Sequence, residues 1–245
     1  MKNSLNKSQI ERFSRQLILK NIGPRGQKKI LSSKILIVGV GGLGCSAAES
    51  LVRAGVGTIG LIDNDIVSLS NIHRQSLFNF KDIKKLKVDI AAKKLKEINP
   101  LIKIKIYKLR LNEKNIENII INYDLVIDGS DNFKTKFLIN DYCIKFKKKL
   151  IIGAISKFDG HIFTFDFKDK KTASLRNFYQ EKTVSDDILN CEFEGVLGTT
   201  ALIVGSIQAS EALKMIMEIG QNLKNQILII DLLNLNFRKA KFKKR

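Results

Sequence analysis

The sequence predicts an α/β fold: a mainly parallel sheet flanked by helices, with antiparallel strands added in the C-terminal part. Three observations carry this. Up to Gly153, short apolar runs alternate with helical patterns, the rhythm of parallel strands joined by helices. A glycine-rich turn, Gly39-Val40-Gly41-Gly42-Leu43-Gly44, follows the apolar run Lys34–Val38 and opens a helical stretch. After Gly153 the rhythm changes, and His161-Ile-Phe-Thr-Phe-Asp-Phe167 alternates with period two, as an antiparallel strand does.

In chain order, strands are expected at Lys34–Val38, Thr58–Ile62, 102–107, 125–127 and 150–152, and helices at 43–54, 86–98, 113–121 and 132–146. Leu86, Ile90, Ala91, Leu95 and Ile98 make one apolar helix face, which Pro100 ends. Residues 168–194 are polar and without period and read as one long loop, a length that usually marks function. A helix at 200–217 and a strand at Gln226–Asp231 close the fold, and the basic stretch 237–245 reads as a frayed end. With no repeat and no linker, 1–245 reads as a single domain.

At 245 residues and 44% hydrophobic content, the chain has enough apolar side chain for a large core. Its longest apolar runs fall far short of the ~20 residues that cross a bilayer, so no membrane association is expected. The first residues carry no secretory pattern. Cys45, Cys143 and Cys191 are odd in number and far apart, which excludes a disulfide framework or a CxxC metal pair and places the protein in a reducing cytoplasm. The net charge of +19 comes from lysines spread over the whole chain rather than from one patch. The aromatics do not interleave with basic residues as in a stacking platform, so a nucleic-acid partner is not expected. The charge does favour acidic protein partners by steering.

The glycine turn is a phosphate cradle, because a strand-to-helix turn lets backbone N–H groups and a helix N-terminus approach phosphate oxygens. Asp63 ends the second strand, where a carboxylate faces ribose hydroxyls, and Asp65 lies two residues on. These features make the fold Rossmann-like, and they suit a redox dinucleotide as well as ATP. Next in the chain, Ser70-Asn71-Ile72-His73-Arg74-Gln75 puts an arginine and an asparagine beside the phosphates, as a reacting phosphate requires.

Several motifs occur together in one order: Arg12-Phe-Ser-Arg15-Gln16, the glycine turn, Asp63-Asn-Asp65, Ser70–Gln75, Lys87, Asp128-Gly-Ser-Asp131-Asn132, and Cys191 ahead of Gly195-Val-Leu-Gly198. In this the chain resembles the E1-like sulfur-carrier adenylyltransferases (ThiF/MoeB/HesA type), relatives of the ubiquitin-activating enzymes. The likeness runs from about Glu11 to Phe237, and each motif alone is far less specific than the ordered set.

The resemblance implies that the C-terminal glycine carboxylate of a small ubiquitin-like protein ending in Gly-Gly attacks the α-phosphate of Mg-ATP, as in molybdopterin or thiamine biosynthesis. An acyl adenylate forms and pyrophosphate leaves. It further implies that Asp131 holds Mg2+, a hard cation suited to carboxylate oxygen, and that Arg74 and Lys87 neutralise the triphosphate. Gly39, Gly41, Gly42 and Gly44 would cradle the phosphates, with Asp63 on the ribose and Asp65 nearby. Ser70, Asn71, Gln75 and Asn132 would complete the nucleotide pocket. Arg15 would reach the other subunit's site in a homodimer. Cys191 is a candidate for a covalent link to the carrier, whereas Cys45 and Cys143 read as packed residues. His73 and His161 show no partner pattern. Many relatives carry two CxxC pairs for a structural zinc; here Ser174-Leu-Arg-Asn177 stands at the first place and no cysteine at the second, so no zinc is expected. Adenylation of another acceptor, a peptide or a modified tRNA nucleoside, stays open at this point.

Overall fold

The computed structural model describes residues 5–179 and 195–244. One eight-stranded sheet runs through it in the order β3-β2-β1-β4-β5-β6-β7-β8. The strands are β1 (Lys34–Val38), β2 (Thr58–Ile62), β3 (Lys103–Tyr107), β4 (Leu125–Asp128), β5 (Lys149–Ser156), β6 (Asp159–Asp166), β7 (Gln226–Asp231) and β8 (Asn236–Lys241). The strands from β3 to β5 across the sheet pair in parallel, and β5 to β8 pair antiparallel. The expected architecture is therefore present, although β5 and β6 are longer than their apolar runs. Four of five residues in β1 and β2, and all of β4, are buried, because helices cover both faces of the sheet.

On one face lie α4 (Gly42–Ala54), α5 (Lys87–Ile98) and α9 (Gly198–Met217), over a core that includes Ile35, Ile37, Leu51, Leu61 and Val204. On the other lie α6 (Ile116–Ile120) and α7 (Phe133–Lys145), over Leu36, Val126, Phe137, Leu150 and Phe163. The helix expected over 113–121 is confined to the five residues of α6. α9 packs directly on α4: a Cβ at Gly205 would come within 2.6 Å of the Leu43 carbonyl, and Ser46 Oγ donates to the Leu202 carbonyl at 2.7 Å.

Three N-terminal helices, α1 (Lys7–Arg12), α2 (Ser14–Leu17) and α3 (Gly23–Ser32), were not foreseen from the sequence. They gather at the N-terminal ends of the strands, where Gly57 N donates to the Ile30 carbonyl and Arg12 Nη1 to the Ile98 carbonyl. Asn6 caps the first with a reciprocal Asn6–Gln9 capping box.

The C-terminal stretch corrects the expectation of a frayed end. Residues 236–241 pair with β7 along its full length, Gln226 opposite Lys241 and Asp231 opposite Asn236. All six side chains are exposed, so β8 has no apolar alternation to read; lysine on an exposed edge strand is a common guard against further pairing. The expected loop also begins with order: α8 (Leu175–Phe178) is pinned to the C-terminus by Phe178 against Phe242 at 5.5 Å and by Ala173 N donating to Asn225 Oδ1. Residues 180–194, with Cys191, lie outside the described residues. Among the described residues no helix is long and apolar enough to cross a membrane.

Candidate active site

The register sets the site. Val38 stands opposite both Ile62 and Asp128, so the residues just past β1, β2 and β4 emerge in one row at the C-terminal edge of the sheet. These are Gly39, Asp63 and Gly129, at the point where the strand order reverses and α/β proteins bind ligands. A cleft of about 910 Å³ opens there.

Of the residues expected to bind the nucleotide, Gly39, Gly41, Gly42, Asp63, Asp65, Ser70, Asn71, Arg74, Gln75, Lys87, Asp131 and Asn132 all line this cleft. Gly44 does not. It lies beneath the turn, where a Cβ would fall 1.9 Å from the Gly39 carbonyl oxygen, so its role is close packing. Gly39 has φ +85°, and a Cβ there would fall 2.9 Å from the Gly129 carbonyl oxygen, so the two cleft-lining loops approach closely.

Asp63 holds this arrangement. Oδ2 accepts from Val40 N at 2.7 Å and Oδ1 from Asp65 N at 2.8 Å, tying the glycine turn to the end of β2. Lys87, the first residue of α5, is buried; its Nζ pairs with Asp65 Oδ2 at 3.0 Å, and its N donates to the Asp65 carbonyl. Asp65 itself is 59% exposed, so the pair presents its carboxylate to the cleft and keeps the ammonium below it. Arg74 Nη1 donates to the Ser70 carbonyl at 2.9 Å and lies 2.8 Å from His73 Nε2. A guanidinium only donates, so in this contact the His73 nitrogen is the acceptor. His73, Arg74 and Arg110 line the cleft together, and the first and last had no assigned role in the sequence.

Asp131 and Asn132 sit on the loop between β4 and α7. Asn132 caps α7, accepting from Thr135 N at 2.9 Å, and its Nδ2 donates to Asp131 Oδ1 at 3.1 Å. The other Asp131 oxygen has no partner among the described residues. No group of three or more His, Cys, Asp or Glu forms a metal cage among those residues. A lone exposed carboxylate does suit Mg2+, which keeps several waters and takes the rest of its oxygens from phosphates.

Arg15 stands apart. It is exposed on α2, whose neighbour Gln16 donates to the carbonyl of Ala54, the last residue of α4. The glycine turn is at the other end of that 13-residue helix, about 20 Å away. Within one protomer Arg15 therefore does not join the cleft. Cys45, on the first turn of α4, is buried, and burial pushes its thiol up to about 12; burial raises Cys143 in the same direction. Both are packed residues, as expected.

The chain is similar to known proteins along most of its length. The ThiF family matches over residues 13–245. The chain belongs to the ThiF family. It is 41% identical over 238 residues to a probable molybdopterin-synthase adenylyltransferase of Gracilaria tenuistipitata var. liui, covering 97% of this chain and 66% of that protein. It is 37% identical over 236 residues to a sulfur carrier protein adenylyltransferase of Thermus thermophilus, covering 95% of this chain and 87% of the relative. Against the adenylyltransferase and sulfurtransferase MOCS3 of Drosophila virilis the identity is 39%, but the chain spans only 53% of that longer protein. Among solved structures, E. coli MccB with ATP superposes with a TM-score of 0.85 over all of this chain and 75% of MccB, at 20% identity. That likeness supports the fold.

Proposed function

We propose that this ThiF-family protein is an ATP-dependent adenylyltransferase that activates the C-terminal glycine carboxylate of a ubiquitin-like sulfur carrier. The observation that carries this reading is the clustering of the glycine turn, Asp63, Arg74, Lys87 and Asp131 around one cleft at the switch point of the sheet. A redox dinucleotide would leave the two cations and Asp131 idle. A different acceptor is disfavoured by relatives at 37–41% identity named for sulfur-carrier and molybdopterin-synthase adenylylation.

In this reading the glycine turn and the N-terminus of α4 take the phosphates through backbone N–H groups, and Asp63 takes the ribose. A carboxylate oxygen of the carrier's last glycine forms a bond to the α-phosphorus as the bond to the bridging oxygen of pyrophosphate breaks. No proton moves, so the chain's work is alignment and neutralisation of charge. Arg74 turns its free guanidinium nitrogens to the triphosphate, and Lys87 is released from Asp65 toward it. Asp131, backed by Asn132, would hold Mg2+, which would supply charge neutralisation on the phosphates. Arg15 belongs to a homodimer, in which it serves the partner's cleft. The carrier ends in Gly-Gly, as the resemblance to the family implies. The cytoplasm is the compartment. The role of Cys191 is confined to steps after adenylation.

The test is Asp131→Ala in Mg2+-dependent ATP–pyrophosphate exchange with the carrier. Exchange falls to background while the melting temperature stays near that of the parent. Parent-level exchange in the variant would remove Asp131 from the reaction.

A further inference from the structure

We propose that Lys136 is a positioning residue for Asp131: its buried ammonium ties the β4–α7 loop to β5 and so fixes where the Asp131 carboxylate meets the metal-bound phosphates. This rests on the reading of Asp131 given above. Lys136 is 2% exposed, and its Nζ reaches three acceptors from three parts of the chain. These are Asp128 Oδ2 at 3.0 Å at the end of β4, the Ser130 carbonyl at 2.7 Å in the loop, and the Gly153 carbonyl at 2.7 Å in β5. An ammonium has three protons, so every one is used.

The loop is tied from its other side as well. Asp128 Oδ1 accepts from Ser130 N at 2.9 Å and from Ser130 Oγ at 2.6 Å. The Asp128 carbonyl accepts from Gln208 Nε2 of α9 at 2.9 Å, and Gly129 N donates to the Val38 carbonyl. The three residues ahead of Asp131 are thus bound to β1, β5, α7 and α9 at once. Gly129, Ser130, Asp131 and Lys136 all border the same cleft.

Stability alone does not account for this pair. Asp128 is 0% exposed, and an ion pair removed from water to that degree is commonly no more stable than apolar residues of the same volume. What the charges add is direction: a saturated ammonium leaves the loop one geometry. In many sites that hold a metal, groups behind the ligand set its orientation in this way. Lys136 lies with Phe133, Phe137 and Asn140 on the buried side of α7.

The experiment measures binding of α,β-methylene-ATP by calorimetry with and without Mg2+, alongside thermal melts, in the full chain. In the parent, Mg2+ strengthens binding. Asp128→Asn/Lys136→Met removes both charges and leaves no orphaned ion. It is expected to bind the Mg-free analogue as the parent does but to lose roughly 10-fold or more of the Mg2+-dependent gain. Lys136→Arg, which keeps a buried cation, recovers most of that gain. If the double variant does not fold, Ser130→Ala decides, because it keeps the ion pair and removes one bond to Asp128; the gain falls while Mg-free binding holds. A folded double variant, or Ser130→Ala in its place, with the parent's full Mg2+ gain would overturn the positioning role. So would an arginine variant that recovers nothing. Absence of any Mg2+ gain in the parent would instead overturn the reading of Asp131 itself.

Discussion

Gly44→Ala separates packing from phosphate contact within the glycine turn. The added Cβ would lie 1.9 Å from the Gly39 carbonyl oxygen and 3.0 Å from the Gly39 carbonyl carbon, and both are backbone atoms with no side chain to swing away. The N-terminus of α4 and the turn must therefore part by roughly 1 Å. Overfilling a packed site costs about 1–3 kcal/mol. At about 2 kcal/mol, the melting temperature of a chain this size falls by roughly 4–8 °C. The same displacement moves the phosphate-facing N–H groups, and a misplacement of about 1 Å costs on the order of 100-fold in rate. Gly41→Ala is the control. Its Cβ meets nothing closer than Gln75 Nε2 at 3.9 Å, and its φ of −87° suits alanine, but the methyl group enters the cleft. Thermal melts and ATP–pyrophosphate exchange on both variants are the assay. The expected result is loss of stability and exchange in Gly44→Ala, and loss of nucleotide affinity alone in Gly41→Ala. Parent-like melting and exchange in Gly44→Ala would refute the packing argument.

Three further outcomes are expected. Arg15→Ala and Arg74→Ala, each deficient alone, regain up to about a quarter of parent exchange when co-expressed as mixed dimers, because one composite cleft is then whole; confirmed mixed dimers without activity would remove the partner's arginine from the site. Cys45 and Cys143 stay unmodified by iodoacetamide at pH 8 in the native protein and react after denaturation, because burial keeps both thiols protonated; mass spectrometric labelling of either in the native state would contradict this. Burial lowers the His161 pKa, against a counteracting pull from Asp159. The unfolded chain then takes up this proton first, so the His161 contribution is present above the ordinary imidazole range and is lost as the pH falls through the folded value. His161→Gln should flatten the pH dependence of the melting temperature between pH 7 and pH 5 (roughly the span around an ordinary imidazole); an unchanged slope would refute it.

The parts of the fold legible in the sequence were those that bury a face. Apolar runs such as Lys34–Val38 and Gln226–Asp231 mark strands because helices or neighbouring strands cover them, and the glycine turn marks a place where backbone meets backbone. β8 was missed because an edge strand with six exposed residues carries no burial signal. The helices α1 and α2 were missed for the same reason, having no buried residue between them.

The site was legible in outline and not in its support. Ordered motifs brought twelve residues to one cleft, but motif spacing does not distinguish a glycine that faces a ligand from one that packs, hence Gly44. Lys136 was hidden by composition: in a chain with 43 lysines and arginines, one more lysine on a helix looks like solvent-facing charge. Its partner Asp128 stood in the quoted motif without a role. Arg15 is a different case, since the role proposed for it lies across two protomers and leaves no trace in the cleft of one chain. In the region of the absent cysteine pair, Phe178 and Phe242 make the contact between α8 and the C-terminus, a link that spacing alone does not reveal.

The central claim is tested most directly by ATP–pyrophosphate exchange with purified protein and each Gly-Gly-ended β-grasp protein of the same genome. The account predicts exchange with one such carrier that disappears when its terminal glycine is removed. ATP binding without exchange in the presence of any carrier would contradict it and move the activity to another acceptor.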